Sequence, residues 1–301
     1  MPATTAFLFV TAALLVIPTV SGVAHQPRAA AQSRLLEVGR AGKLSAPSPA
    51  PNLIKIISYN IRWRSGDDLK KLIELFKSDP KLGGPAVLGL QEVDRNKMRS
   101  GNTNTAKQLA DELGMHYAWA APPPPSKQRP VEEETGVAIL SAYPMSDVRR
   151  FVLPHAGPGG RRRAAIGATI QIGNARVRFY SIHSETRVSI EKKLDQMAAA
   201  LADVKNYSST MPIVIVGDFN TWELQIGQKV VKLFTAHRFY TPFDNDETFS
   251  RRVLFIPLQL KLDWIWLRNL DASGFGIERS VTISDHWPLW INLRLSQTAA
   301  N

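Results

Sequence analysis

The sequence predicts an α/β fold in which a mixed sheet, or two stacked sheets, is covered by helices. Residues 213–216 are a short run of β-branched residues, the composition of a strand buried on both faces, and residues 54–59 also predict a strand. Amphipathic helical patterns at residues 67–76 and 188–207 are interleaved with such strands. Hairpin-like strand runs with short turns lie between residues 136 and 182. The mixture of crossover helices and hairpins indicates mixed sheets.

Composition limits the chemistry that the chain can perform. The 301 residues are 44% hydrophobic and 21% charged, which suits one large globular domain or two small ones. The absence of cysteine excludes disulfides, thiolate metal sites and cysteine nucleophiles. A net charge of +11 and a pI near 9.9 favour a polyanionic partner, either nucleic acid or an anionic membrane surface. A general role of this charge in solubility is the alternative.

The N-terminal 52 residues are predicted to lie outside the folded domain. Residues 1–25 are largely apolar, carry no Lys, Arg, Asp or Glu, and end near the small residues 21–24, which is typical of a cleaved export signal. The alternative is an uncleaved anchor, although about 15 apolar residues fall short of the ~20 needed to span a bilayer. Residues 26–52 are rich in Ala, Ser and Pro and are expected to be a flexible linker. The folded domain is therefore predicted at residues 53–296, in an exported or membrane-tethered protein.

In the first half of the domain, strands and helices alternate. Residues 54–59 predict a strand that runs into Asn60, and residues 86–90 predict another that ends at Gln91 and Glu92. The predicted helices have their apolar residues on one face and begin at Asp67 and Thr103; the second is closed by a glycine.

The second half repeats the pattern of strands followed by polar residues. Strands are predicted at residues 136–140, 163–172, 176–182, 213–216, 260–267 and 289–295, and helices at 188–207 and 228–236. His183 follows the third of these strands, Asp218 and Asn220 follow the fourth, and Asp263 lies in the fifth. Asp285 and His286 directly precede the last strand. Residues 244–252 are predicted to be a loop.

Each polar residue has an ordinary structural explanation when it is considered alone. Gly217, Asp218 and Asn220 are common turn formers, Glu92 could be a solvated strand end, and His286 could be a hydrogen-bonded core histidine. The repetition at successive strand ends favours a site, because a rigid sheet delivers such residues to one edge. The set consists of oxygen and imidazole groups without a thiol, which suits Mg²⁺ or Mn²⁺ and the hydrolysis of phosphoesters.

Seven motifs occur in the order expected of one superfamily. They are Ser58-Tyr59-Asn60-Ile61-Arg62, Leu90-Gln91-Glu92-Val93, Gly136-Val137-Ala138-Ile139-Leu140-Ser141, Ser181-Ile182-His183, Gly217-Asp218-Phe219-Asn220, Leu262-Asp263-Trp264-Ile265 and Ser284-Asp285-His286. In this ordered set, the chain resembles the endonuclease/exonuclease/phosphatase superfamily from about Leu53 to Leu295. Deoxyribonucleases, apurinic endonucleases and sphingomyelinases are members of that superfamily.

The resemblance implies a four-layer α/β sandwich with two packed mixed β-sheets flanked by helices. It implies a divalent ion, Mg²⁺ or Mn²⁺, with Glu92 as principal ligand and Asn60 and Asp285 on the metal side. The implied catalytic residues are His183, Asp218, Asn220, Asp263 and His286. Asp218 would orient or deprotonate water, Asn220 would fix the phosphate, and Asp263 would orient His286. His183 and His286 would donate to phosphoryl oxygens, and the superfamily leaves the base as either Asp218 or His286.

Departures from the superfamily pattern leave the substrate open. Ser184-Glu185 stands where many members have leucine, and Ser141 stands where several have arginine. The run Arg161-Arg162-Arg163 is interpreted either as a phosphate-binding rim or as a solvated turn. Trp63 and Trp222 could stack on a base or sugar, or could pack in the core.

Together these observations predict an exported, metal-dependent phosphoesterase that hydrolyses phosphodiester bonds, with nucleic acid as the favoured substrate. The alternative is a phospholipid head-group phosphodiesterase at an anionic membrane surface. A non-catalytic phosphate-binding module is the third hypothesis. No protein partner is implied, and a monomer is expected.

Overall fold

A computed structural model describes residues 34–44, 53–125 and 134–295, together with Met1. The rest of the predicted export signal lies outside the described residues. The described residues form two large mixed sheets, a separate two-stranded hairpin and four α-helices. The predicted four-layer α/β sandwich is confirmed.

The first sheet has seven strands in the order β1-β4-β5-β3-β2-β14-β13. Their bounds are β1 Leu36–Arg40, β2 Leu53–Asn60, β3 Val87–Arg95, β4 His116–Ala120, β5 Glu134–Ser141, β13 Asp271–Ile277 and β14 Leu289–Arg294. The β2–β3 pair is parallel, whereas the other neighbours in this sheet are antiparallel. The carboxyl ends of β2 and β3 therefore lie side by side.

The second sheet has five strands in the order β12-β9-β8-β7-β6. Their bounds are β6 Met145–Val152, β7 Ala164–Ile172, β8 Ala175–His183, β9 Ile213–Asp218 and β12 Asp263–Arg268. The β8–β9 pair is parallel, and the other neighbours are antiparallel. A hairpin of β10 Phe249–Val253 and β11 Ile256–Leu260 stands apart from both sheets.

Two helices cover the outer face of each sheet. The helices α1 (Gly66–Ser78) and α2 (Thr105–Leu113) pack on the first sheet, while α3 (Ile190–Val204) and α4 (Leu224–Ala236) pack on the second. As predicted, α2 ends at a glycine, Gly114, which has φ +66° and continues the chain in the left-handed conformation. Within the described part of the chain, no helix is long and apolar enough to cross a membrane.

Alternating side chains of the central strands enter two different cores. In β9, Val214 and Val216 pack between the sheets, while Ile213 and Ile215 pack against α3 and α4. The same alternation in β2 sends Ile56 between the sheets and Ile57 toward α1 and α2. Burial on both faces explains why residues 213–216 of β9 are a continuous apolar run in the sequence.

One part of the predicted linker is folded, so the prediction that residues 26–52 are entirely a flexible linker is wrong. Leu36–Arg40 forms β1, which pairs antiparallel with β4, and Leu35 and Ala41 on either side of it are buried. The strand carries Glu37, Gly39 and Arg40, so its sequence lacks a clear apolar alternation. Glu37 is stabilised by Arg95 at 3.1 Å, a contact between distant residues that no local pattern predicts.

Several strands have no counterpart in the sequence-based prediction. These are β4, β6, β10, β11 and β13. The predicted loop at residues 244–252 contains most of β10, whose two charged residues, Arg251 and Arg252, hide the strand pattern. Edge strands such as β6 and β13 are partly exposed, which weakens the apolar signal on which strand prediction depends.

Gly217 permits the close approach of β8 and β9 immediately before Asp218. Its φ of +145° is rare for residues with a side chain, and a Cβ atom there would lie 1.9 Å from the carbonyl oxygen of Ile182. Since that oxygen belongs to the backbone of a central strand, it cannot move aside without disturbing the sheet.

Replacing this glycine therefore tests the packing that supports Asp218. Gly217→Ala should lower the free energy of unfolding by about 2–4 kcal/mol, because the added methyl group collides with the backbone and the φ angle becomes strained. Gly227→Ala is the matched control, since Gly227 lies in α4 and an added Cβ would meet no atom within 4 Å beyond its chain neighbours and the backbone of its own helix. This variant should be more stable by roughly 0.5–1 kcal/mol. Urea denaturation measures both, and equal stability of the two variants would contradict the packing argument.

Candidate active site

Three predicted site residues lie in one row across the second sheet. Asp218 ends β9, the strand between β8 and β12, and its register partners are His183 on β8 and Asp263 on β12. The Nε2 atom of His183 lies 3.5 Å from Oδ2 of Asp218. All three residues are buried. The register of the sheet therefore brings together residues that are 35 and 45 positions apart in the sequence.

Asn220 is held beside Asp218 by the turn that follows β9. The chain sends Phe219 into the core and then reverses at Asn220, which has φ +52°. The backbone N–H of Asn220 donates to Oδ1 of Asp218 at 2.9 Å, and its side-chain amide donates to the carbonyl of Ser184 at 3.1 Å. A buried lysine, Lys193, donates to the Asn220 carbonyl at 2.9 Å. The Gly-Asp-x-Asn turn thus exists and also positions the site.

The first sheet contributes Asn60 across the gap between the sheets. Its Nδ2 atom donates to Oδ2 of Asp218 at 3.0 Å, and its Oδ1 atom accepts from the backbone N–H of Arg62 at 3.0 Å. The hydroxyl of Ser284 donates to the Asn60 carbonyl at 2.8 Å. These contacts fix the end of β2 against the loop that carries His286.

A β-bulge directs Glu92 into the site. The pairing of β3 with β5 shifts between Gln91 and Val93, so Glu92 is the extra residue, and its φ is +55°. The indole N–H of Trp63 donates to Oε2 of Glu92, while Oε1 lies 4.0 Å from Nε2 of His183. The guanidinium of Arg99 covers the Trp63 ring at 4.2 Å. Trp63 therefore orients Glu92.

His286 and Asp263 form a hydrogen-bonded pair. The Nδ1 atom of His286 lies 2.8 Å from Oδ2 of Asp263, and Nε2 lies 3.8 Å from Oδ2 of Asp218. Thr248 donates its hydroxyl to the same Asp263 oxygen at 2.7 Å and accepts from the backbone N–H of Asp263. This arrangement suits the predicted role of Asp263 in orienting His286.

Asp285 lies in an ion pair. Its Oδ2 atom is 2.9 Å from the guanidinium of Arg62, a residue of the first motif. The carboxylate is only partly exposed. Binding of a metal by Asp285 stays a prediction and would require sharing or displacing this arginine.

An arginine fixes the protonation of His183. Nδ1 of His183 lies 3.4 Å from Nη1 of Arg163, and because a guanidinium can only donate, Nδ1 is the acceptor. The ring proton therefore lies on Nε2, which faces Asp218 and Glu92. Arg163 is held in turn by the fully buried carboxylate of Glu185 at 3.2 Å, which also binds Arg161 at 2.7 Å.

Burial and neighbouring charges shift the pKa values of His183, Asp218 and His286 in different directions. Burial, reinforced by Arg163, lowers the pKa of His183 well below its usual value, so this imidazole is neutral. Burial raises the pKa of Asp218 to about 7, with Asp263 adding to the shift and His286 opposing it. Burial alone would lower the pKa of His286, but Asp263 and Asp218 outweigh it and raise that pKa to about 10. His286 is therefore an imidazolium near neutral pH.

The donor set fits a hard divalent cation. Asp218, Asp263 and His286 each offer a ligand atom within 4.8 Å of the other two, and Glu92 adds a partly exposed carboxylate nearby. Oδ1 of Asp263 is buried without a hydrogen-bond partner among the described residues. Carboxylate oxygens without thiols are the ligands of Mg²⁺ and Mn²⁺. Concentrated buried negative charge of this kind requires a cation or a bound proton.

A basic groove of about 630 Å³ opens from the site. Glu92, His183 and Trp63 line one part of it, and Pro122–Pro125 form part of the wall. Its cationic residues are Arg34, Lys97, Arg99, Arg161, Arg162 and Arg163. Lys97 and Arg162 have no ion-pair partner within the described ranges, so their charges are available to a ligand.

Sequence reasoning missed several residues that support the site. The sequence marks Arg163 only as part of a basic run and Glu185 only as a departure from the superfamily pattern. Neither signal predicts the ion pair that joins them. Arg62, Lys193 and Thr248 were not singled out. Their contacts connect residues that are far apart in the chain. Of the three, only Arg62 lies in a superfamily motif, the one at residues 58–62. Trp222 is half-exposed, with Lys193 5.4 Å from its ring centroid, so it is not a core residue.

Solved structures with this fold are numerous but distant in sequence. An endonuclease/exonuclease/phosphatase family protein from Leptotrichia buccalis has a TM-score of 0.61 at 16% identity, covering 80% of this chain and 100% of that chain. The human Nocturnin catalytic domain has a TM-score of 0.61 at 15% identity, covering 81% of this chain and 94% of that chain. TDP2 from C. elegans has a TM-score of 0.60 at 17% identity, covering 81% of this chain and 75% of that chain. No curated protein matches the chain.

A family model gives the assignment that these distant structures alone do not. The model of the Endonuclease/Exonuclease/phosphatase family matches residues 57–286, which include every predicted site residue. Members of this family are usually hydrolases that act on phosphoester bonds. With the fold, the ordered motifs and the convergence of their polar residues, the chain belongs to the endonuclease/exonuclease/phosphatase family.

Proposed function

We propose that the protein is a divalent-metal-dependent phosphodiesterase that cleaves nucleic acid. The family supplies the class of reaction, and the basic groove supplies the substrate preference. Cationic side chains from several parts of the chain line this groove beside Glu92 and His183. A substrate with phosphates on both sides of the scissile bond would use such a surface, whereas a small phosphoester would not.

In this proposal Asp218 is the proton acceptor for the attacking water. Its pKa of about 7 makes it a competent base near neutral pH, and Asn60 and Asn220 hold both of its oxygens. The water oxygen forms the new bond to phosphorus as one of its protons moves to Asp218. The bond from phosphorus to the ester oxygen breaks, and that oxygen leaves with the bonding electron pair and takes a proton from solvent water to become the alcohol product. The raised pKa of His286 supports Asp218 as the base, because an imidazolium cannot accept a further proton.

The two histidines act as hydrogen-bond donors in the same step. The neutral His183 presents its Nε2 proton, and the imidazolium of His286 presents its own Nε2 proton beside Asp218. Both donors would stabilise negative charge on the phosphoryl oxygens. Asp263 and Thr248 keep the His286 ring in place.

Glu92, with Asn60 and Asp285, would hold the divalent ion, Mg²⁺ or Mn²⁺. When bound, the ion would supply charge neutralisation at the phosphate. Asp218, Asp263 and His286 form a second group that could bind a cation, but only once His286 loses its proton. We favour Glu92 because its carboxylate is partly exposed, while Asp263 is committed to His286 and Thr248.

Export is also part of the proposal, and it rests on the largely apolar residues 1–25 and the small residues 21–24 near their end. A phospholipid head-group phosphodiesterase is the second candidate function. The exposed apolar turn of the β10–β11 hairpin favours it, since such a turn suits a membrane surface.

A substrate panel tests the proposed activity. Plasmid DNA, single-stranded RNA, sphingomyelin and a chromogenic phosphodiester are each incubated with the protein and Mg²⁺. Nucleic acid should be cleaved, and EDTA should abolish the cleavage. His286→Ala should lower the rate by roughly 10²–10⁴-fold because it removes a protonated donor at the site. His155→Ala is the control, since His155 lies outside the site and pairs with Asp195.

Each alternative has its own result in this panel. Head-group release from sphingomyelin without nucleic-acid cleavage would favour the second candidate. Binding of polyanions without turnover of any phosphoester would contradict catalysis and favour a phosphate-binding module. Full activity of His286→Ala would show that the site is wrongly assigned.

The groove makes a separate prediction about salt and substrate size. Lys97→Gln with Arg162→Gln should weaken binding of single-stranded nucleic acid at low salt and reduce the slope of log affinity against log salt by roughly 1.4, about 0.7 for each lost phosphate contact. Hydrolysis of the chromogenic phosphodiester should hardly change. Filter binding over a series of salt concentrations measures the slope.

The matched control removes the same charge elsewhere. Lys205→Gln with Lys232→Gln changes two exposed lysines that do not line the groove. If the control reduced the slope of log affinity against log salt by the same amount, the reduction would reflect net charge and not contacts in the groove. That result would contradict a substrate path along the groove.

A further inference from the structure

The turn of the β10–β11 hairpin exposes an unusual apolar tip. Leu254, Phe255 and Ile256 are 86%, 96% and 72% exposed. Val253 pairs with Ile256, so Leu254 and Phe255 form a two-residue turn. Such turns ordinarily contain glycine, asparagine or aspartate, which tolerate positive φ and water. Here a leucine adopts φ +57°, a strained conformation for that side chain.

The hairpin is also basic below its tip. Residues 249–260 contain Arg251 and Arg252 and no acidic residue. Both arginines are exposed, and neither has an ion-pair partner within the described part of the chain. They lie two and three residues before Leu254, so the apolar tip projects about 7–10 Å beyond them. Apolar residues at the end and cations behind them match the layered chemistry of a lipid surface.

The base of the hairpin is attached to catalytic residues. The ring of Phe249 packs edge-on against His286, with ring centroids 5.0 Å apart. The backbone N–H of Ser250 donates to the Asp285 carbonyl at 2.8 Å, and Trp287 donates to the Thr248 carbonyl at 2.7 Å. The base of the hairpin is therefore in direct contact with the loop that carries His286.

We propose that this hairpin docks the protein on an anionic lipid bilayer by inserting Leu254, Phe255 and Ile256 among the lipid head groups. A bilayer suits the tip better than a protein partner does, because a specific protein interface requires about 800 Å² from each partner. A narrow two-residue turn does not supply that area. Arg251 and Arg252 favour anionic over neutral lipid. This inference is independent of the phosphodiesterase proposal, since it concerns binding and not turnover.

A site-specific fluorescent probe tests insertion in the full chain. The sequence contains no cysteine, so Phe255→Cys gives one labelling position for an environment-sensitive dye. With vesicles of phosphatidylcholine and phosphatidylserine, the dye emission should shift to the blue and be quenched by lipids with nitroxide-labelled acyl chains. Val231→Cys on α4, an exposed apolar position away from the hairpin, should show neither effect. The local readout is independent of any lipid contact made by residues 1–25.

Two unlabelled variants test the apolar and the charged contribution. Leu254→Gly with Phe255→Ser supplies a favoured turn sequence, so it should keep or raise the melting temperature while weakening vesicle binding at least about tenfold. To exclude any lipid contact made by residues 1–25, vesicle binding is followed through a dye at Ile256→Cys. This label is placed both in the original sequence and in the Leu254→Gly, Phe255→Ser variant. Arg251→Gln with Arg252→Gln should reduce the preference for phosphatidylserine by a similar factor.

Other occupants give different results. A blue shift that grows with protein concentration in the absence of vesicles would assign the tip to a second copy of the chain and overturn the proposal. An unchanged emission with vesicles would overturn it as well. If the Leu254→Gly, Phe255→Ser variant bound vesicles as tightly as the original protein, at an unchanged melting temperature, the apolar tip would not insert.

Discussion

The hydrogen bond between Asn60 and Asp218 joins the two halves of the sandwich at the site. Asn60 ends a strand of the first sheet and Asp218 ends a strand of the second, and their side chains meet at 3.0 Å. His183 and Asp263 are the register partners of Asp218, so a shift of either neighbouring strand by one residue would turn one of them away. The site therefore depends on correct packing and register of both sheets.

Burial gives this arrangement its chemistry. Asp218, Asp263 and His286 are nearly inaccessible to water, so their interactions are stronger than they would be at the surface. The imidazolium of His286 lies between the carboxylates of Asp218 and Asp263, and Arg163 orients the neutral ring of His183. One histidine is held charged and the other uncharged by different neighbours. In the proposed reaction, a phosphodiester would meet these two kinds of hydrogen-bond donor beside Asp218.

Much of the fold and the site could be predicted from the sequence, for a physical reason. Strands buried on both faces are continuous apolar runs, and polar residues at their ends, such as Asp218 and Asn60, stand out against them. The remaining features depend on contacts between distant residues. The ion pair of Arg163 with Glu185, and the support that Thr248 gives to Asp263, leave no periodic trace. The strand β1 and the hairpin turn at Leu254 were missed because charged residues and an atypical turn sequence obscure them.

The measurement closest to the central claim is the affinity of the protein for Mn²⁺, followed by electron paramagnetic resonance. The buried carboxylates around Asp218, together with Glu92 at the β-bulge, predict a divalent ion held by Glu92. Glu92→Gln should weaken Mn²⁺ binding by at least about tenfold, while Glu278→Gln, which removes a carboxylate paired with Lys81 outside the site, should leave it unchanged. Undiminished Mn²⁺ affinity in Glu92→Gln would contradict the account, and loss of binding only in Asp263→Asn would transfer the ion to the Asp218, Asp263 and His286 group.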